Sequence, residues 1–129
     1  MPLTPAIKTA ITSILATAMR KCAPPMVVSK ETRDAMELIG NKPVPYGSTK
    51  KIVPGMYFCS YIARKDMVSF YFFPLYYDAQ LVESIPNLRK TLKGKTCFNI
   101  KKPEELDVKE LNAMLKKGAF AWKKSGYMK

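Results

Sequence analysis

Apolar side chains near the start of the chain recur at helical spacing. Positions 7, 11, 14, 15, 18 and 22 are apolar and fall on one face of a helix. Thr4 and Pro5 precede that stripe as a hydroxyl cap and a proline at the first helical position. Pro24 and Pro25 end it, because proline cannot continue a helix. The pattern predicts an N-terminal helix over about residues 5–21 that packs on the core, rather than a transit peptide or a secretory signal.

The clearest strands lie in the middle of the chain. Residues 56–63 and 67–73 are rich in aromatic and β-branched side chains and are joined across a charged triplet. They predict an antiparallel hairpin, which Pro74 ends. Because alternate residues of a strand face opposite sides, both faces of this hairpin carry apolar or aromatic side chains. Which tyrosines share a face with Phe70 and Phe72 depends on a register that the sequence leaves open.

Several shorter elements surround the hairpin. By periodicity alone, residues 26–41 fit strands or a helical turn. The prolines and glycines of residues 43–55 predict a loop. Residues 78–92 predict one helix broken before Pro86, and residues 96–100 predict a short strand.

The C-terminal helix is the best specified element. Asp107 and Glu110 form a capping box, with Leu106 and Leu111 at the staple positions around it. The apolar positions that share one face of this helix are Val108, Leu111, Met114, Leu115, Ala119 and Trp122. Gly118 lies on the same face and lets the helix approach the sheet closely, while Phe120 points away. Together the elements predict one α+β domain, a mainly antiparallel sheet of about 4–5 strands with helices packed on it.

The composition indicates how many domains the chain forms and in which compartment it lies. The chain has 129 residues, of which 47% are apolar, which fits a single domain over residues 1–129 with a core at about 26–125. Cys22, Cys59 and Cys97 are odd in number, widely spaced and without a C-x-x-C pair. They predict a reducing cytoplasm rather than a disulfide framework. No apolar run is long enough to cross a bilayer.

The residue types exclude several kinds of catalysis. The chain has no histidine, which removes Ser-His-Asp and Cys-His mechanisms and His-ligated zinc. The acids at positions 104, 105, 107 and 110 lie at a helix start, where capping and the helix dipole account for them. Cys59 and Cys97 lack an activating base. We therefore expect no enzyme, no cofactor and no metal site.

Positive charge is concentrated in the C-terminal third. The formal charge is +12, and residues 89–129 hold twelve Lys and Arg against four Asp and Glu. Six of these basic side chains crowd one bend and the strand after it: Arg89, Lys90, Lys93, Lys95, Lys101 and Lys102. A phosphate-binding loop would need glycine where Arg89 stands. The cluster indicates either a solvated turn or a loose anion site. The net charge of the whole chain indicates either a surface that keeps the protein in solution or non-specific nucleic-acid binding.

The aromatic side chains predict another candidate site. A hairpin that is aromatic on both faces is either covered by helices on both, or leaves one face to line a pocket or a partner surface. In the second case we expect a ligand cleft between the sheet and the helices. Its lining would be Tyr57, Tyr61, Tyr71, Phe73, Tyr76 and Trp122.

Three runs in the second half of the chain share features with one family. They are residues 56–68, the aromatic-proline run at 70–76, and residues 86–102, which include Leu-Lys-Gly-Lys-Thr-Cys-Phe. On these residues the chain resembles the YdhG-like family of small uncharacterised α+β domains over about residues 54–125. The resemblance implies a small antiparallel sheet flanked by helices, and strands for residues 26–41. It also implies iron handling of the frataxin-like kind.

The sequence therefore supports three functions. The first is a non-catalytic module that binds a ligand or partner on an aromatic sheet face or in the cleft beside it. The second is weak, non-specific nucleic-acid binding through the basic C-terminal third. The third is the iron handling implied by the family resemblance. We expect a cytoplasmic protein without membrane association, and the ligand and the oligomeric state are left open.

Overall fold

A computed structural model describes residues 2–129. Within them, helix α1 is Pro5–Arg20 and helix α2 is Val108–Lys124. The strands are β1 Val27–Glu31, β2 Ala35–Ile39, β3 Val44–Tyr46, β4 Lys51–Val53, β5 Tyr57–Ala63, β6 Val68–Phe72, β7 Leu92–Lys93 and β8 Cys97–Ile100. Short 3-10 turns occupy Phe73–Tyr76, Ala79–Ser84, Leu88–Thr91 and Pro103–Glu105. The α+β class, both helices, the central hairpin and the strands in residues 26–41 are confirmed.

Six strands form one antiparallel sheet in the order β1-β2-β5-β6-β8-β7, and β3 and β4 pair separately. In the central hairpin Cys59 pairs with Phe72 and Tyr61 with Phe70, which settles the register. The pairing of β2 with β5 shifts beside Phe58, and this irregularity allows the consecutive residues Phe58 and Cys59 both to be fully buried.

Both helices cover the same face of the large sheet. Phe70 and Phe72 on that face are fully buried, and α1 packs against β5, β6 and α2. Trp122 of α2 lies edge-on to Phe58, with ring centroids 5.7 Å apart. Gly118 of α2 sits directly over Phe72, where an added Cβ would overlap the ring. The absence of a side chain at Gly118 thus lets α2 lie against the aromatic layer.

The opposite face of the sheet has no helix over it within residues 2–129. Ser60, Tyr71 and Asn99 on that face are only half-buried, and Ile62 is 39% exposed. We call it the uncovered face. It carries fewer aromatic side chains than the covered one, because the register sends Tyr61, Phe70 and Phe72 to the core.

Two features of the sequence-based picture are wrong. The large sheet has six strands rather than about 4–5, and residues 78–92 form separate 3-10 turns instead of one broken helix. In these turns the hydroxyl groups of Ser84 and Thr91 donate to the carbonyl oxygens three residues earlier, at 2.7 and 2.8 Å. Pro86, which lies between these turns, has no backbone N–H and cannot continue a helix, so each segment is short enough for the tighter 3-10 turn.

Two smaller features also differ from expectation. The presumed loop at residues 43–55 contains the β3–β4 ribbon. Val108, assigned to the inner face of the C-terminal helix, is 47% exposed, because the first turn of α2 projects beyond the core. Phe120 points outward as expected and is 70% exposed. Among the described residues, no helix is both long enough and apolar enough to span a membrane.

We expect Gly118→Val to lower the free energy of unfolding by about 1–3 kcal/mol, since the added side chain over-packs the core, and this outweighs the slightly better helix propensity of valine. The ring that the new side chain would meet belongs to Phe72, which is fully buried. The matched control is Ala113→Val on the exposed side of the same helix, which should cost less than about 0.7 kcal/mol. Urea unfolding followed by circular dichroism measures both, and equal losses would contradict the close approach of α2.

Candidate functional site

A network of polar side chains crosses the uncovered face. The Arg64 guanidinium donates through Nε to Ser69 Oγ at 3.1 Å and through Nη2 to Tyr71 Oη at 3.0 Å. The Ser69 hydroxyl donates to Asn99 Oδ1 at 3.1 Å, and the Cys97 thiol donates to the same oxygen at 3.4 Å. The network links Arg64, the residue after β5, to β6 and β8, and its two bonds hold the guanidinium against β6.

Strand pairing explains why these residues meet. Ser69 pairs with Asn99, and Tyr71 pairs with both Ser60 and Cys97 on its two sides. Side chains of directly paired residues lie on the same face and within reach of one another. Ser69 is 2% exposed although it lies on the uncovered face, because Arg64 folds over it.

One end of the uncovered face is aromatic. Tyr57 at the start of β5 shares a hydrogen bond of 2.5 Å between its hydroxyl and Ser60 Oγ. Its ring centroid is 5.5 Å from Phe73, which in turn is 5.2 Å from Tyr76. The Lys95 ammonium lies over the Tyr76 ring, 5.8 Å from its centroid. We call Tyr57, Phe73 and Tyr76 the aromatic end.

A cavity of about 690 Å³, the edge cavity, opens beside β7 and β8. Lys93 pairs with Cys97, so its side chain lies on the same face as Cys97 and Asn99. Its basic lining residues are Lys90, Lys93 and Lys101, and Asn99 joins the cavity to the Arg64 network.

The acids of the edge cavity are largely occupied by backbone N–H groups. Glu105 Oε1 accepts from the backbone N–H groups of Lys101 and Lys102, at 2.6 and 3.0 Å. Asp107 accepts from the backbone N–H of Glu110 at 3.1 Å, which together with the Asn87 amide lowers the pKa of Asp107. In the part of the chain that the structure describes, the only ion pair joins Arg20 to Glu31.

It follows that no lysine of the edge cavity is paired with a carboxylate in that part of the chain. The formal charges of its three lysines and three acids cancel, yet the two signs are not equivalent. Two of the acids already accept hydrogen bonds, whereas the ammonium groups remain available to a ligand. The cavity is therefore suited to an anionic group.

The six residues expected to line an aromatic cleft are divided among three places. Tyr57, Phe73 and Tyr76 form the aromatic end. Tyr71 lies in the Arg64 network on the uncovered face. Tyr61 is 5% exposed on the helix-covered face, and Trp122 is fully buried, 6.3 Å from Phe73 between ring centroids. Of these six residues, Tyr71 thus lies on the uncovered face, whereas Phe73 also contacts Trp122 of α2 and so lies at the edge where the two faces meet.

The six basic residues are also divided. Lys90, Lys93 and Lys101 line the edge cavity, whereas Arg89, Lys95 and Lys102 do not. Sequence reasoning missed Arg64, Ser69 and Asn99 as site residues. A sequence pattern could have identified such residues: in otherwise apolar strands every second position is polar, as Ser69 and Tyr71 are between and beside Phe70 and Phe72.

The cysteines are free thiols in different surroundings. Burial raises the pKa of Cys22, and raises that of fully buried Cys59 well above its usual value. A raised pKa lowers the thiolate fraction and hence the reactivity of both. Among residues 2–129, no group of three or more Cys, Asp or Glu side chains is placed to hold a metal ion.

Comparison of the chain with protein-family models, with curated proteins and with solved structures finds no match.

The buried hydroxyl of Tyr57 makes the fold sensitive to alkali. Burial raises the pKa of Tyr57 above its usual value of 10, and nearby Cys59 and Glu37 add to this, while the Ser60 hydrogen bond opposes it. Burial and the Tyr127 hydroxyl likewise raise the pKa of Tyr77 to about 12. Above pH 10 the unfolded chain releases these protons before the folded chain does, so stability falls as pH rises.

We expect Tyr57→Phe to be less stable than the parent protein below about pH 9, by about 0.5–1.5 kcal/mol for the lost hydrogen bond. This difference should shrink as pH rises above 10, because the variant lacks the titrating hydroxyl. Ser60→Ala removes the same bond but keeps the hydroxyl, so its stability should fall with pH at least as steeply as that of the parent. Urea midpoints measured between pH 8 and 11 decide, and a pH-independent difference for Tyr57→Phe would contradict the prediction.

Proposed function

We propose that the protein is a non-catalytic binding module whose uncovered face holds a ligand that combines planar rings with anionic groups. A short single strand of nucleic acid has this chemistry. The observation that supports the proposal is the continuity of the face: the Arg64 network joins an aromatic end to a cavity with unpaired lysines.

Arg64 and Tyr71 form the centre of this surface. The guanidinium has five N–H donors, and its bonds to Ser69 and Tyr71 use two of them. The remaining donors suit a phosphate or another oxyanion. Tyr71 is half-buried and fixed by its hydroxyl, so its ring is held ready for a base to stack on it.

The length of the face favours an extended ligand. Tyr71 pairs with Cys97, and Lys101 lies four residues further along the chain, which is about 13 Å at the rise of a β-strand. A ligand that contacts both the Tyr71 ring and Lys101 at the far side of the edge cavity must span that length. This favours a short strand over a mononucleotide.

We also propose that the chain is non-catalytic and that it is a cytoplasmic protein. The raised pKa values of Cys22 and Cys59 support a non-catalytic role. The free thiols fit a reducing cytoplasm. Membership of the YdhG-like family is likewise a proposal that rests on the sequence resemblance, and within residues 2–129 no grouping of side chains supports iron handling.

The test is fluorescence anisotropy with a labelled single-stranded oligonucleotide of about ten nucleotides, at low and at physiological salt. Binding should weaken steeply with salt. Tyr71→Ala should weaken it by about 1–3 kcal/mol, the usual contribution of one stacked base. Arg64→Gln and the pair Lys93→Gln with Lys101→Gln should each reduce the affinity and the salt dependence.

Tyr46→Ala is the matched control, since Tyr46 is an exposed tyrosine on β3, which belongs to the separate two-stranded sheet. It should bind like the parent protein. Absence of binding at low salt would refute the proposal, as would equal losses for Tyr46→Ala and Tyr71→Ala.

A second candidate, weak non-specific nucleic-acid binding through the basic C-terminal third, has its own observation. Lys116, Lys117 and Lys124 surround the exposed ring of Phe120 at a cavity of about 570 Å³ on the outer side of α2. Lys116, Phe120 and Lys124 follow one another at intervals of four residues and Lys117 adjoins Lys116, so the three lysines form a basic stripe along the helix.

The same anisotropy assay separates the two candidates. If the α2 stripe is the binding surface, the triple variant K116Q/K117Q/K124Q should lose most of the salt-sensitive binding. The variants of Arg64 and Tyr71 should then bind like the parent protein. The reverse pattern would assign the oligonucleotide to the uncovered face.

A further inference from the structure

The covered side of the molecule has a cavity of about 430 Å³ between the end of α1 and the middle of α2. Its walls include Ala18, Met26, Leu115 and Met128, which are 2–6% exposed. The size is within the range of small-molecule pockets, about 300–1,000 Å³. These four residues form the floor of the cavity, and because they are buried, a thin chain reaches them more readily than a flat protein surface does.

A second cavity of about 250 Å³ continues the first along α1 and shares Ala18 and Lys21 with it. Ile14, Ala18 and Cys22 follow one another at intervals of four residues, so the two cavities line one side of α1 for about 12 Å. We call the combined space the interhelical groove. Its length suits an alkyl chain, and its lining is mostly apolar, with Ser13, Thr17 and Asn112 as uncharged polar residues.

The charge of the interhelical groove has one sign. Lys21 and Lys116 line the cavity of about 430 Å³, and among the described residues no carboxylate lines either cavity. Neither lysine takes part in an ion pair in that part of the chain. An anion at this position would face two ammonium groups without a competing acid.

We propose that the interhelical groove binds a single-chain anionic amphiphile, a fatty acid, with its alkyl chain along α1 and its carboxylate at Lys21 and Lys116. This site is separate from the uncovered face on the other side of the sheet. Its occupancy would therefore not depend on the function proposed for that face.

Two thiols of the chain allow the site to be tested in the unmodified protein. Cys22 lines the groove, Cys97 lies on the uncovered face, and Cys59 is fully buried. The protein is treated with iodoacetamide at about pH 8.5, with and without dodecanoate below its micelle concentration, and the alkylation of each thiol is followed by mass spectrometry. Dodecanoate should slow modification of Cys22 at least tenfold and leave that of Cys97 unchanged.

Calorimetric titration then tests the two halves of the ligand separately. From octanoate to dodecanoate the affinity should rise by up to about fourfold for each added methylene. The variant K21Q/K116Q should bind dodecanoate at least tenfold more weakly than the parent protein but bind dodecanol equally well. The control K8Q/K117Q, which changes two lysines outside the groove, should bind dodecanoate normally.

Several results would overturn the assignment. If dodecanoate does not slow the alkylation of Cys22, it does not bind in the interhelical groove. Equal protection of Cys22 and Cys97 would show a general effect on the protein instead of a site. If K21Q/K116Q and K8Q/K117Q weaken the binding of dodecanoate equally, then net charge, not Lys21 and Lys116, attracts the carboxylate.

Discussion

The contact between α2 and the aromatic layer of the sheet determines the rest of the molecule. Trp122 lies against Phe58, and Gly118 allows the helix backbone to approach Phe72. Because α1 packs beside α2 on the same strands, this contact assigns both helices to one face. The chain then has no helix left within residues 2–129 to cover the other face. The other face is therefore uncovered because both helices pack on the aromatic layer.

On a sheet face that no helix covers, polar side chains must find their hydrogen-bond partners among one another. Here Arg64 lies against β6 and bonds Ser69 and Tyr71, so that Ser69 is buried without a helix above it. Hydrogen bonds in such a network hold their side chains in one arrangement before any ligand arrives. The network that completes the sheet therefore also prepares its surface for binding.

The sequence predicted the elements whose signals are local. The stripe of α1, the hairpin residues and the capping of α2 at Asp107 each depend on neighbours within a few positions. The faces of the hairpin could not be predicted, because they depend on pairing with β2 and on the irregularity beside Phe58. The basic cluster illustrates the same limit: Gly94, with φ of +77°, turns the chain so that Lys93 lines the edge cavity while Lys95 lies over Tyr76.

The positive surface of the C-terminal third follows from the structural use of its acids. Residues 89–129 contain four acids. Asp107 caps α2, Glu105 accepts two backbone N–H groups, and Glu110 accepts those of Asn87 and Leu88 at 3.0 and 2.9 Å. Carboxylates held by backbone donors at the ends of turns and helices are fixed there and cannot follow a mobile ammonium group. Three of the four acids are therefore held by backbone donors, and Glu104 is the one acid of this segment without such a bond in the part of the chain that the structure describes. The way the chain folds thus adds to its net charge in making the lysines of the edge cavity and of α2 available to an anion.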